Sequence, residues 1–150
     1  EMTRFILNID VPDVPAGVAF YTAAFELEVG RRFGEDFVEL VGADVRIYLL
    51  RKDPGTSIGP AGGDVRRYER HWSPIHLDFL VDDIARATER VLAAGATLES
   101  AIRRAPYGQI AMFADPFGHG FCLIAFNAAG YDALLPPGGS PQASPPSVVN

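Results

Sequence analysis

From Asn8 to Val11 the chain alternates polar and apolar side chains, the period of a half-buried strand. The apolar run Phe5-Ile6-Leu7 precedes it, so a first strand is predicted over Arg4 to Val11. Asp13 is placed to cap a following helix. Val14, Val18, Tyr21 and Phe25 then recur at helical spacing as one apolar face, with Pro15 in the first turn, where its missing N–H does no harm. Three short strands are predicted next: Glu28 to Phe33, Phe37 to Val41 and Val45 to Leu50. The turns Gly34-Glu35-Asp36 and Gly42-Ala43-Asp44 separate them.

Residues 53–73 have a different texture. Asp53-Pro54-Gly55, Gly59-Pro60 and Gly62-Gly63 break regular structure, so a linker or binding lid is expected there. The opening pattern then returns. Pro74 to Val81 reads as a strand, and Asp83 caps a helix with Ile84, Ala87, Val91 and Leu92 on one face. Gly95 ends that helix. Strands are predicted at Thr97 to Arg103, Gln109 to Ala114 and Gly120 to Phe126, with a short helical turn within 128–135. Val11-Pro12-Asp13-Val14 and Val81-Asp82-Asp83-Ile84 match at an offset of 70 residues. Each half reads strand, helix, three strands, and must bury its sheet against the other half or another chain.

The 150 residues make one domain, 1–135, with modules of about 3–52 and 74–127 and a disordered Pro-, Gly- and Ser-rich tail at 136–150. The net charge of −6 repels phosphate and disfavours a nucleic-acid partner, despite the basic-aromatic run Arg66 to Trp72. One cysteine excludes a disulfide framework and a multi-cysteine zinc site. No apolar run is long enough to span a bilayer, and a cytoplasmic protein with no membrane partner is expected.

Val11-Pro12-Asp13 with Phe20-Tyr21, Val81-Asp82-Asp83-Ile84 and Asp115-Pro116-Phe117-Gly118-His119 carry a resemblance. With them the chain resembles the glyoxalase / bleomycin-resistance / extradiol-dioxygenase group, the vicinal oxygen chelate superfamily, over residues 4–126. The resemblance implies an α+β fold of two βαβββ modules whose mixed sheet curls into a cup, often shared across a homodimer. In metal-dependent members the cup holds a divalent ion, bound by a His early in a module's first strand and a Glu in its fourth. Seven residues before the capping Asp stand His76 in the second module and Ile6 in the first. The Glu positions fall on Cys122 and near Tyr48.

One of four implied ligands is therefore kept, and neither a metal nor another cofactor is expected. A replacement site remains open, because His76 and Asp78 share a strand face that Cys122 could join. Cys122 is otherwise a packing residue, or a thiol activated by His76. Asn8 and Asp78 correspond across the repeat and point the same way. Arg46 and Tyr48 share a face, from which Arg46 could pair with Asp78 or Asn8 or clamp a ligand carboxylate. Glu39 is a further inward candidate, His119 reads as a surface turn residue, and Trp72 stands at the rim of the cup or anchors the linker.

The expected ligand-binding residues are thus His76, Asp78, Asn8, Arg46, Tyr48, Cys122 and Trp72. The leading expectation is binding of a small organic molecule without a metal, as in the drug-sequestering branch of the superfamily. The alternatives are a related lyase, isomerase or dioxygenase with the ligand set His76, Asp78 and Cys122, or a dimeric interaction module with a filled cup.

Overall fold

The same cap opens both helices of the computed structural model, which describes residues 1–71 and 73–140. Asp13 accepts from the backbone N–H of Ala16 at 2.9 Å, and Asp83 from that of Arg86 at 3.1 Å. Helix α1 (Val14–Phe25) follows strand β1 (Leu7–Val11), and helix α2 (Ile84–Ala94) follows β5 (Leu77–Leu80). The first module continues through β2 (Glu28–Arg32), β3 (Phe37–Val41) and β4 (Ile47–Arg51). The second continues through β6 (Thr97–Ala105), β7 (Gly108–Ala114) and β8 (Gly120–Phe126), then a 3-10 turn at Gly130–Leu134.

Each module forms its own four-stranded sheet, in the orders β1-β4-β3-β2 and β5-β8-β7-β6. The first strand of each runs parallel to the fourth and the remaining pairs are antiparallel. The registers are equivalent: Leu7 faces Ile47 and Asn8 faces Tyr48, as Leu77 faces Phe121 and Asp78 faces Cys122. Ile6 and His76 both stand one residue before their strands, so β1 begins later than the apolar run suggests. Two βαβββ modules of α+β type are thereby confirmed.

Alternation sends Ile9, Val11, Ile47 and Leu49 toward the helix in one module, and Phe121, Leu123 and Ala125 in the other. All of them belong to one apolar cluster that spans both modules. The helices join its halves. Phe25 stacks on Phe79 with ring centroids 3.8 Å apart, and Phe20 packs on Phe121. Arg90 Nε donates to the carbonyl of Ala24 at 2.9 Å, and the buried Tyr21 hydroxyl donates to Asp115. This double duty shifts the face of α1. Its buried residues are Val14, Gly17, Phe20, Tyr21 and Ala24, whereas Val18 and Phe25 are half-buried. Gly17 meets the first sheet, and Phe20 and Tyr21 meet the second module. On α2, Leu92 is exposed rather than part of the buried face.

The described linker residues pack against both modules. They include a small antiparallel bridge, Ser57 to Val65, where only breakers were evident. Arg66 pairs with Asp10 at 2.8 Å, Tyr68 donates to the carbonyl of Lys52, and Arg70 pairs with Glu99 at 2.6 Å. Residues 136–140 are exposed and include a turn closed from Gly139 N–H to the carbonyl of Pro136. Trp72 and residues 141–150 lie outside the described residues, and with them the rim role and most of the expected tail. Among the described residues no helix is long and apolar enough to cross a membrane.

At Gly118 the linker backbone presses on the turn before β8. The φ of Gly118 is +87°, and a Cβ there would lie 2.5 Å from the backbone of Glu69. Gly118→Ala is therefore expected to destabilise the protein by ~1–3 kcal/mol. Gly59→Ala, at a position with open space around it, should change stability by less than about 0.5 kcal/mol. Urea unfolding of the two variants checks the contrast.

Candidate functional site

The chemistry-bearing residues gather on the sheet faces turned away from the helices. In the second module Asp78 and Cys122 are a registered pair on neighbouring parallel strands, with His76 two residues before Asp78 on the same side. His76 Nε2 lies 3.4 Å from Asp78 Oδ1. One ligand atom from each of His76, Asp78 and Cys122 falls within 4.8 Å of the others. His76 and Asp78 are exposed and Cys122 is buried.

Burial, with the nearby Asp78 carboxylate, pushes the Cys122 thiol up to about 11. It is thus protonated at neutral pH, the opposite of a thiol activated by His76. Ile110 and Ile124 pack beside it with Tyr107. At the end of this face Tyr107, Phe126 and Tyr131 form an edge-to-face aromatic group, with Tyr131 centred 4.8 Å from Phe126 and 5.1 Å from Tyr107. Tyr107 and Tyr131 are additions to the expected set. The only sequence signal for them was their position beside the turn and the short helical segment flanking β8.

The equivalent face of the first module is organised around a buried charge. Glu39 is 3% exposed and shares its face with Tyr48, its partner in register. Arg31 holds it through the backbone N–H at 3.1 Å and through the guanidinium at 2.6 Å. Tyr48 donates its hydroxyl at 2.9 Å, and Arg46 Nη1 lies 3.4 Å away. Arg46 therefore pairs with Glu39, not with Asp78 or Asn8. The two Arg46 alternatives failed because its reach is decided by β3 of its own sheet. No local sequence signal marks Arg31, although the alternation of Phe37, Glu39 and Val41 does place Glu39 on the face of Tyr48. Hydrogen bonds from Arg31 dominate over desolvation and, helped by Tyr48, hold the Glu39 carboxyl down at about 2. Asn8 is exposed on the equivalent of Asp78's position.

Two grooves border β5. One of about 390 Å³ is lined by His76, Asn8, Asp10, Tyr21, His71 and His119 among others. The other, of about 690 Å³, takes in Asp78, Phe79, Asp44, Arg86 and Arg90. The two polar residues expected on one wall thus border different grooves. His119 is no surface turn residue. It is half-buried, and its Nε2 lies 2.8 Å from the carbonyl oxygen of Asp10 in the other module.

The donor set itself tests the divalent ion that the resemblance implies. Ile6 has no lone pair, and the Tyr48 hydroxyl is engaged by Glu39 and Arg31. The first module therefore supplies no free ligand at the implied positions, and in the second a thiol stands in the carboxylate's place. The His-and-Glu ligand set shared between modules does not fit. What is present is a different set of one imidazole, one carboxylate and one thiol.

Two repeated βαβββ modules with donors on their helix-free faces define a protein of the vicinal oxygen chelate superfamily. Residues 6–124 match the family described as "Glyoxalase-like domain", and the chain belongs to it. An uncharacterized protein of Mycobacterium bovis is 31% identical over 122 residues, covering 77% of this chain and 78% of its own. An uncharacterized protein of Mycobacterium tuberculosis shows the same identity over 70% of its length. The fosfomycin resistance protein FosX of Listeria monocytogenes has the same fold, with a TM-score of 0.66 at 19% identity over 90% of this chain and 99% of that one. A crystal structure of FosX from the same organism is complexed with Mn(II) and sulfate. A glyoxalase/bleomycin resistance protein/dioxygenase family enzyme from Burkholderia phytofirmans aligns with a TM-score of 0.61 at 20% identity, over 81% of this chain and 97% of that one.

The Glu39 cluster has a pH signature. A carboxyl held at about 2 when folded, against an ordinary 4.5, contributes stability that is complete above the ordinary value. That stability is lost as pH falls through the window between the two values. Unfolding curves recorded across the window should fall more steeply for the native chain than for Glu39→Gln. Equal slopes would place Glu39 outside the stabilising network.

Proposed function

We propose that this glyoxalase-like protein binds a small organic molecule against the helix-free faces of its sheets, without the His-and-Glu metal centre that the resemblance implies for metal-dependent members. One observation carries the reading. Each helix-free face sets a few convergent polar groups into apolar and aromatic surroundings, as ligand sites do. In the second module these are His76, Asp78 and Cys122 beside Ile110, Ile124, Tyr107 and Tyr131. In the first they are Asn8, Tyr48 and Arg46 beside Phe37. Arg46 has a single 3.4 Å contact to Glu39, which leaves its guanidinium edge able to hold an anionic group of the ligand.

The reading includes a homodimer. Phe5, Ile6, Ile75 and Leu80 are exposed at or next to β1 and β5, which end their sheets. Apolar side chains at open strand edges favour covering by a second copy. Sedimentation of the purified chain is expected to give a dimer at micromolar concentration, and a persistent monomer would remove this part of the proposal.

A second reading, a metal-dependent enzyme with a non-standard ligand set, is favoured by the convergence of His76, Asp78 and Cys122. The test of the first is a thermal-shift and calorimetric screen of small organic acids, aromatics and antibiotics on chelator-treated protein. At least one compound should bind. His76→Ala should weaken a compound held on the second module's face, and Arg46→Ala one held on the first's, by about tenfold, or about 1.4 kcal/mol, with the fold intact. A screen without binders, or binders indifferent to both substitutions, would overturn the reading.

A further inference from the structure

We infer that the helix-free face of the first module takes an aromatic carboxylate, with Arg46 holding the anion and Phe37 and Tyr48 receiving the ring. This deepens the proposed function and rests on it, since it names the class of molecule for one of the two faces. The sign of the charge comes first. The buried Glu39 carboxylate accepts from the backbone N–H and guanidinium of Arg31, from the Tyr48 hydroxyl and from Arg46. Two guanidiniums thus share one enclosed carboxylate, and the cluster keeps one positive charge in a chain whose net charge is −6. Glu28, opposite Val41 on the edge strand β2, is ion-paired to neither guanidinium among the described residues.

The two guanidiniums are not equivalent. A Cβ at Gly30 would lie 2.6 Å from Glu39 Oε1, so the bare glycine lets the carboxylate lie against β2, where Arg31 grips it through Nε and Nη2. Arg31 also lies over the Phe33 ring, 5.0 Å from its centroid. Arg46 has only its 3.4 Å contact and a side chain 42% exposed, so its planar fork is open to a second carboxylate. The apolar part of the face is aromatic. Phe33, Phe37 and Tyr48 form a row with ring centroids 4.9 and 5.5 Å apart, and Phe33 stays 45% exposed. Arg46 and Tyr48, two residues apart on one side of the chain, are separated by about 7 Å along it. A ring set against Phe37 and Tyr48 in offset or edge-on contact therefore carries its carboxylate to Arg46. An aliphatic acid lacks the ring contact, and an aromatic amine meets the guanidiniums with like charge.

Calorimetric titration of the full chain with 2-naphthoate tests the class. Naphthoate should bind, with cyclohexanecarboxylate and 2-naphthylmethylamine each weaker by at least about tenfold. Arg46→Gln should weaken naphthoate by at least about tenfold, and Phe37→Leu by about threefold or more. Arg104→Gln, which removes the same charge from an exposed position on β6 of the other module, should change its affinity by less than about twofold. Should Phe37→Leu fail to fold, the comparison of naphthoate with cyclohexanecarboxylate on the native chain carries the aromatic half of the test. Equal affinity for the amine or the aliphatic acid, naphthoate binding indifferent to Arg46→Gln, or an equal loss in Arg104→Gln would each overturn the inference. Binders of other kinds in the broad screen, with naphthoate not among them, would overturn this inference and leave the proposed function standing. The absence of every binder would overturn both.

Discussion

The contact between the two modules is the constraint on which everything else rests. Neither sheet can cover its own apolar face with one helix. The stack of Phe25 on Phe79, the packing of Phe20 on Phe121 and the buried bond from Tyr21 to Asp115 fuse the two halves into one cluster. Burying Phe20 and Phe121 is worth about 1.5–3 kcal/mol each, and paired rings add about 0.5–1.5 kcal/mol beyond area. Asp115 also accepts the backbone N–H groups of Phe117 and His119, so the turn that leads into β8 is shaped by the same carboxylate that receives Tyr21. The register of β8, and with it the position of Cys122, is thereby tied to a helix of the other module.

The same frame carries two unlike faces. Asn8 and Asp78 occupy equivalent places, as do Tyr48 and Cys122, and Ile6 and His76. In the first module most polar groups are spent on one another: Glu39 is enclosed by Arg31 and Tyr48, while Arg46 keeps an open edge and Asn8 is exposed. In the second they converge without saturating one another, beside Ile110, Ile124 and an aromatic group. Satisfied polar networks specify structure, whereas unsaturated donors near an apolar wall suit binding.

What could be read from the sequence was local. Caps at Asp13 and Asp83, the glycine stop at Gly95 and strand alternation depend on neighbours a few residues away, and the repeat doubled each signal. His76, Asp78 and Cys122 could be grouped because strand parity and the βαβββ pattern together determine which side chains share a face. What escaped depends on packing between modules. The burial of Gly17 and Phe20 on α1, the bond from His119 to Asp10 and the aromatic group at Tyr131 leave no periodic trace. Arg46 was mispaired for the same kind of reason, since its choice of Glu39 follows from the order of strands in the sheet and not from spacing along the chain.

The linker behaves mechanically as a strut. Its side chains grip Asp10 on one module and Glu99 on the other, and the missing side chains at Gly118 and Gly120 let Glu69 and Arg70 press directly onto the turn before β8. A rigid-body rotation of one half against the other would have to break these braces together with the aromatic seam. Shape change is therefore left to side-chain rotamers rather than to movement of one module against the other. A brace of this kind favours a preformed surface over domain closure, so what the sheet faces present to solvent is set by which side chains line them rather than by how far the halves travel.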